Sequence, residues 1–299
     1  MSPAIHLNQA SVTQLLCCWL SQHVAKENLT WLDQKRKLIA EGANARVFFT
    51  AFSAVPRYTG KEDLELTPEV WSAIEAMLPG WYPDHWSVDQ AARTLLLLTL
   101  PQHNAEQYLQ TLEQVFTTAD VGELVALYQA LPLLPYPEKL RARAAEGVRS
   151  NMTAVFNAVA LKNPYPSCYF DELAWNQMVL KALFVGSPLH LIHGLDTRSN
   201  STLAQMAIDY AHERWAALRS VSPEIWRLVA QFGDAAMLAD LELVFADPEP
   251  TQQAAAALAC AQFPLPQAQT LLARYPDLQT SIQSGRLTWS SLAKQDEGN

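Results

Sequence analysis

Along the whole chain the apolar residues recur at the three-to-four spacing of a helix, and no run alternates apolar with polar as a half-buried strand would. That periodicity limits the possible folds more than any other feature. Segment 11–24 sets Leu15, Leu16, Trp19, Leu20 and Val24 on one side. A second helix is expected over 30–39, with Thr30 as its cap and Asp33, Gln34, Arg36 and Lys37 on a solvated face. A third, over 44–55, should stop before Pro56, because a proline ring disfavours helix in the residue ahead of it. Thr67-Pro68-Glu69 offers a cap, a first-turn proline and an acid for a fourth, and Ser222-Pro223-Glu224 repeats the pattern. Ser87 with Gln90, and Asp120 with Glu123, read as capping boxes. Segments 104–116 and 121–131 look like an antiparallel hairpin, closed by the proline-rich LPLLPYP at 131–137. Helix 138–149 follows, with its Arg and Lys residues on a solvated face.

Short helices rich in Ala and Leu then occupy 224–232, 234–245, 251–263, 265–275 and 278–284, separated by brief turns. Such pairs suggest stacked hairpins of HEAT-like kind. The expected fold is all-α: an irregular array of about 15 helices in antiparallel pairs, with α-solenoid character strongest in the C-terminal third. Residues 1–220 are expected to form a helical core, 221–293 a short-helix module on it, and 294–299 a disordered tail.

Composition narrows the function classes. Charged residues are only 17% of the 299 and the formal net charge is −9, with no cluster of Lys and Arg. Phosphate-backbone binding and docking to anionic lipid both need such clusters, so no nucleic-acid partner is expected. Cys17, Cys18, Cys168 and Cys260 are too few and too irregular for a disulfide framework or a zinc site, and read as buried free thiols of a reducing compartment. No run reaches the length of a membrane span, and the first twenty residues lack the basic region and cleavage site of a signal peptide. A soluble, cytoplasmic protein is expected.

Segment 151–219 is where function is sought. One helix is expected over 167–185, apolar on nearly every side and therefore buried. Another is expected over 200–219, packing through Leu203, Ala207, Tyr210, Ala211 and Leu218. Polar residues are interleaved in both. Asp171 and Glu172 suit a helix start, while Asn176 and Lys181 must be paired or face a polar cavity if the helix is buried. Arg214 matches a carboxylate bidentately and is expected to fork onto Asp171 or Glu172. Asn157, Tyr169, Asp171, Glu172, Asn176, Lys181, His212 and Arg214 are the candidate ligand-binding residues. His190 and His193 stand three apart, a weak metal signal without HExxH or a cysteine cluster. No GxGxxG, GxxxxGK[ST], GxSxG or CxxC is present, so no cofactor, metal or catalytic residue is assigned.

NPYPSCYFDELAWNQMVLKALFVGSPL (163–189), GLD (194–196) and DYAHERWAA (209–217) resemble the signature of the EboA family. FSAVPRYTGK (52–61), WSVDQAARTLLLL (86–98), YPEKLRARAAEGVRSNM (136–152) and LTW (287–289) are similar to it as well. The chain departs from the family pattern at Ser167-Cys168 and around 190–193, which weakens the metal reading further. The resemblance implies a bacterial cytoplasmic protein encoded with a cluster of enzymes that make or move a secreted small molecule. The companions it implies include a prenyltransferase-like membrane protein, a dehydroquinate-synthase-like enzyme, a sugar-isomerase-like protein and metal-dependent hydrolases. No catalytic residue is carried over from the family.

The leading expectation is a non-catalytic helical scaffold or binding protein that holds a cluster-encoded enzyme, a small-molecule metabolite, or both. The alternative is an enzyme of unrecognised type acting on a polyol or prenylated intermediate, with Asp171, Glu172 and His212 as acid–base groups. A peripheral contact with the membrane prenyltransferase is a further expectation.

Overall fold

In the computed structural model, which describes residues 8–296, every regular element is helical. Among the described residues no strand forms, and the one β contact is an isolated bridge between Asp63 and Ser87. The chain divides into two compact units, Met1–Asp171 and Glu172–Asn299. The first holds α1 (Gln9–His23), α2 (Lys26–Ala40), α3 (Ala45–Thr59), α4 (Pro68–Met77), α5 (Val88–Thr99), α6 (Ala105–Thr118), α7 (Val121–Ala130), α8 (Arg141–Arg149), α9 (Thr153–Ala160) and α10 (Tyr165–Tyr169). The second holds α11 (Glu172–Val185), α12 (Leu195–Arg198), α13 (Ser201–Ala216), α14 (Ile225–Val229), α15 (Ala235–Phe245), α16 (Pro250–Gln262), α17 (Pro266–Leu272), α18 (Pro276–Gln283) and α19 (Trp289–Asp296).

Local chemistry explains most helix ends. Asn8, Asn44, Asn104 and Asp120 each accept a backbone N–H at a helix start. Both expected capping boxes form, at Ser87–Gln90 and Asp120–Glu123. Thr30 is no cap. It lies inside α2, and its hydroxyl donates to the Lys26 carbonyl at 2.9 Å, so the helix starts one turn earlier than its threonine suggests. At the far end of α2, Gly42 takes φ +80°, and Ala43 N–H reaches the Leu38 carbonyl while Gly42 N–H reaches that of Ile39. This is a Schellman turn, which needs the left-handed conformation that glycine adopts without steric cost.

Pro56 does not end α3. The helix runs through it to Thr59. A proline inside a helix offers no N–H to the carbonyl four residues earlier, here that of Phe52. Arg93 of α5 fills the gap: its Nε donates to the Phe52 carbonyl at 3.2 Å, and its guanidinium lies 5.6 Å from the Phe52 ring centre. Arg93 also pairs with Asp89 one turn earlier at 2.5 Å, and Asp89 in turn accepts the Ser87 hydroxyl at 2.6 Å. Asp89 and Arg93 are buried, so this pair has few other ways to be satisfied.

That pair sits on the most enclosed helix of the first unit. Val88, Ala91, Ala92 and Leu95–Leu98 of α5 are all buried, because α1, α2, α3 and α7 pack around it. The rings of Trp19, Trp81 and Trp86 form an aromatic cluster with centroids 5.7 to 6.0 Å apart. The expected hairpin of 104–116 and 121–131 is not the main packing: α6 and α7 touch through Phe116 and Tyr128, while α7 lies chiefly against α5 and α9. Just after α9, Asn163 ties three backbone groups together, donating to the Tyr128 and Ala158 carbonyls and accepting Tyr165 N–H.

In the second unit, short helices gather on one central element. The alanine-rich α16 is buried from Ala254 through Cys260 and packs against α14, α15, α17, α18 and α19, since alanine lets neighbouring helices approach closely. The helix α19 is an addition to the elements expected from the sequence. It continues through 294–296, which the sequence reading assigns to the tail; residues 297–299 lie outside the described residues. The single helix expected over 167–185 is two, α10 and α11, separated where Phe170 takes an extended backbone (φ −76°, ψ 143°).

Replacing Arg93 by alanine strips Asp89 of its partner and leaves the Phe52 carbonyl unbonded. The expected loss is about 3–5 kcal/mol in urea unfolding. Pro56→Ala in that background supplies the missing N–H, so the double variant should recover at least about 0.5 kcal/mol beyond additivity.

Candidate functional site

Helices α11 and α13 of the second unit carry most of the polar residues singled out by the sequence. Their meeting point is an amide pair. Asn176 Nδ2 donates to Asn200 Oδ1 at 3.1 Å, and Asn200 Nδ2 donates to Asn176 Oδ1 at 2.9 Å. Asn200 is also the cap of α13, its Oδ1 accepting Leu203 N–H at 2.9 Å, and its Nδ2 donates to the Arg198 carbonyl at 3.2 Å. Every hydrogen-bonding site of the Asn200 amide is therefore in use. Asn176, buried as expected, is paired to the partner helix by this bond.

Past α11 the chain turns at Gly186 (φ +72°), where Ser187 N–H reaches the Ala182 carbonyl in a second Schellman turn. A cavity of about 380 Å³ opens beside this turn, lined by Leu183, Ser187, Pro188, His190, Ser222 and Glu224 among others. Glu224 is buried, and backbone groups hold its charge. Its carboxylate accepts Leu189 N–H at 2.8 Å and His190 N–H at 2.7 Å, and His190 Nδ1 lies 3.1 Å away. The acid thus caps the single turn Leu189–Leu191 from outside, using the unpaired N–H groups of a helix start as an anion site. It does not act as the first-turn acid of its own helix, which the Ser222-Pro223-Glu224 pattern suggests.

The remaining candidates are dispersed. Glu172 stands exposed in the first turn of α11, and Lys181 is partly covered, burial lowering its ammonium pKa from the ordinary value. His212 Nε2 meets Asp240 of α15 at 2.9 Å and its ring lies against Trp215, which stacks on Trp226. Arg214 does not fork onto Glu172: its Nε and Nη2 both donate to the Ser220 carbonyl, at 3.0 and 2.8 Å, closing the turn after α13. In the first unit, Asp171 is exposed, Asn157 is half-buried on α9, and Tyr169 is buried on α10 with its ring 4.8 Å from that of Tyr165. Sequence reasoning misses Asp240, Asn200 and Glu224 as partners. Asn200, a residue type favoured at helix starts, and Glu224, in the Ser222-Pro223-Glu224 pattern, carry a local signal, and Asp240 carries none.

The surface of α11 overturns the expectation of burial on every side. Leu173 is 67% and Phe184 77% exposed, and with Gln177 and Leu180 they follow the four–three–four spacing of one helix face. Leu218, expected to pack, lies beyond the end of α13 in a left-handed turn and is 96% exposed. Cys18 is exposed and only Cys260 is buried among the four free thiols. Among the described residues, no three His, Cys, Asp or Glu side chains stand close enough to hold a metal ion, and no helix is long and apolar enough to cross a membrane.

The sequence model of the family described as metabolite traffic protein EboA matches residues 12–230, more than half of the chain. The chain belongs to the EboA family. No curated protein and no solved structure matches it. The EboA match runs from within α1 to just past α14, and therefore takes in both the Arg93–Asp89 pair and the Asn176–Asn200 lock, while α15 through α19 follow it.

Because Asn200 both caps α13 and holds Asn176, the two positions should respond unequally. Asn176→Ala is expected to cost about 1–3 kcal/mol in chemical unfolding, and Asn200→Ala about 1 kcal/mol more through the lost cap.

Proposed function

We propose that this protein acts in metabolite traffic as a non-catalytic helical scaffold that holds a protein encoded in the same gene cluster against the outer face of α11. Membership of the EboA family supplies the role in metabolite traffic. The observation that carries the scaffold reading is the exposure of Leu173 and Phe184 along one face of a helix whose opposite side is buried through Trp175, Met178, Val179 and Ala182. Apolar side chains aligned on a rigid helix are the usual anchors of a helix-mediated interface, where phenylalanine is enriched. The polar residues nearby support the same reading: Asn176, Arg214, His212 and Glu224 are bonded to other parts of the second unit, and so brace the helices around the face.

The test is co-expression of the full chain with each cluster-encoded enzyme, followed by size-exclusion chromatography. The wild-type chain should co-elute with at least one of them. The double variant Leu173→Glu/Phe184→Glu should lose that complex by about tenfold or more in affinity while keeping its thermal midpoint, since surface substitutions of this kind change stability by only about 0.5 kcal/mol. Co-elution of the double variant as strong as wild type, or of neither with any cluster enzyme, would overturn the reading.

A further inference from the structure

The chain has no dense run of Lys and Arg, yet its cations are unevenly placed. Residues 26–61 hold seven of the 21 Lys and Arg but only three of the 30 Asp and Glu. An acidic chain of net charge −9 thus contains one basic stretch, the hairpin of α2 and α3 with its flanks. Six of the seven cations, Lys26, Lys35, Lys37, Arg46, Arg57 and Lys61, form no ion pair among the described residues. The seventh, Arg36, pairs with Asp33 at 3.1 Å.

Folding gathers these residues onto a shared surface. Arg46, Thr50, Ser53 and Arg57 are all exposed and follow the four–three–four spacing of one face of α3. Trp31, Lys35 and Leu38 follow a four–three spacing on α2. The two rows run side by side, because the Trp31 ring stacks on Tyr58, the neighbour of Arg57, with centroids 3.8 Å apart and planes at 9°. Tyr58 is 37% and Leu38 43% exposed, so aromatic and apolar surface is interleaved with the cations. The two acids of the stretch that pair with no cation among the described residues, Glu27 and Glu41, sit at opposite ends of α2.

We propose that the α2–α3 hairpin is a docking surface for an anionic lipid bilayer. Charge complementarity carries the assignment: a set of about four to eight Lys and Arg on surface helices is what anionic headgroups attract. Tryptophan and tyrosine rings settle at the headgroup level, and the long stems of Lys and Arg lie along apolar surface while their charges reach the phosphates. The negative charge of the whole chain does not oppose this, since charges farther than about 8–10 Å from the bilayer are screened. The same uneven distribution turns the hairpin, rather than another face, toward the lipid. An acidic protein fits less well, because the cations are spread along two helices instead of converging on a pocket. The cavity of about 280 Å³ beside the hairpin turn at Gly42 is lined by no Lys or Arg. The surface belongs to the first unit and stands or falls independently of the scaffold reading.

The experiment is co-sedimentation of the full-length protein with vesicles of phosphatidylcholine alone and of equimolar phosphatidylglycerol and phosphatidylcholine. Wild type should bind the anionic vesicles and not the neutral ones, and high salt should release it. Arg46→Glu/Arg57→Glu should weaken binding at least about twentyfold, since each cation near an anionic surface is worth about fivefold. Both side chains are exposed and form no ion pair among the described residues, so the thermal midpoint should match wild type. Lys139→Glu/Arg149→Glu makes the same change of net charge at exposed positions outside the hairpin, and should bind within about twofold of wild type. Failure of wild type to bind anionic vesicles would overturn the proposal, as would equal binding to neutral ones or equal losses in the two double variants. Capture of wild type by immobilised poly-glutamate in place of vesicles would assign the face to an acidic protein and overturn it as well.

Discussion

The first unit depends on one buried arginine. Arg93 answers two demands at once: it pairs with Asp89 inside a buried helix, and it supplies the hydrogen bond that Pro56 withholds from the Phe52 carbonyl. Either group alone would be a buried polar defect costing kilocalories. Together they let α3 continue through a proline and let α5 be enclosed by its neighbours. The two stretches that meet here, FSAVPRYTGK (52–61) and WSVDQAARTLLLL (86–98), are separated along the chain by a loop, helix α4 and a single 3-10 turn.

The second unit resolves its buried polar groups differently, by amides and by backbone. Asn176 and Asn200 exchange bonds across two helices, and Glu224 is satisfied by the N–H groups of a single turn. Residue types that look catalytic when read along the chain, a histidine among acids or an amide inside an apolar run, here join separate elements of the fold. Both cavities lie beside a shared local device. Gly42 and Gly186 each end a helix in a Schellman turn, which reverses the chain with no side chain on the bend and leaves open space beside it.

What can be read from the sequence is local. Asparagine and aspartate caps, both capping boxes and the first-turn Pro68 act within four residues, so their chemistry is complete in the sequence itself, although the Thr67 side chain makes no cap hydrogen bond. Thr30 and Pro56 mislead for the opposite reason. A threonine hydroxyl is as well satisfied inside a helix as at its start, and a proline ends a helix only if nothing distant replaces its missing N–H. The candidate site is legible as a segment but not as an arrangement. Asn176 visibly needs a partner, yet Asn200, Asp240 and Glu224 lie 24 or more residues from the groups they meet.

By itself the sequence determined an all-helical chain, most of its helix starts and its place in the EboA family, because periodicity, capping and family motifs are all written in residue order. Only the tertiary structure decided which helix is enclosed. The apolar run at α11 turns Leu173 and Phe184 outward, while α5 is covered although it carries a charged pair, and so is the alanine-rich α16. Burial is a property of what surrounds a helix, and α5 and α16 are each ringed by several neighbours. The Tyr108 hydroxyl is of the same kind: it belongs to an ordinary residue of an amphipathic helix until the fold closes over it and leaves its oxygen with no hydrogen-bond partner among the described residues.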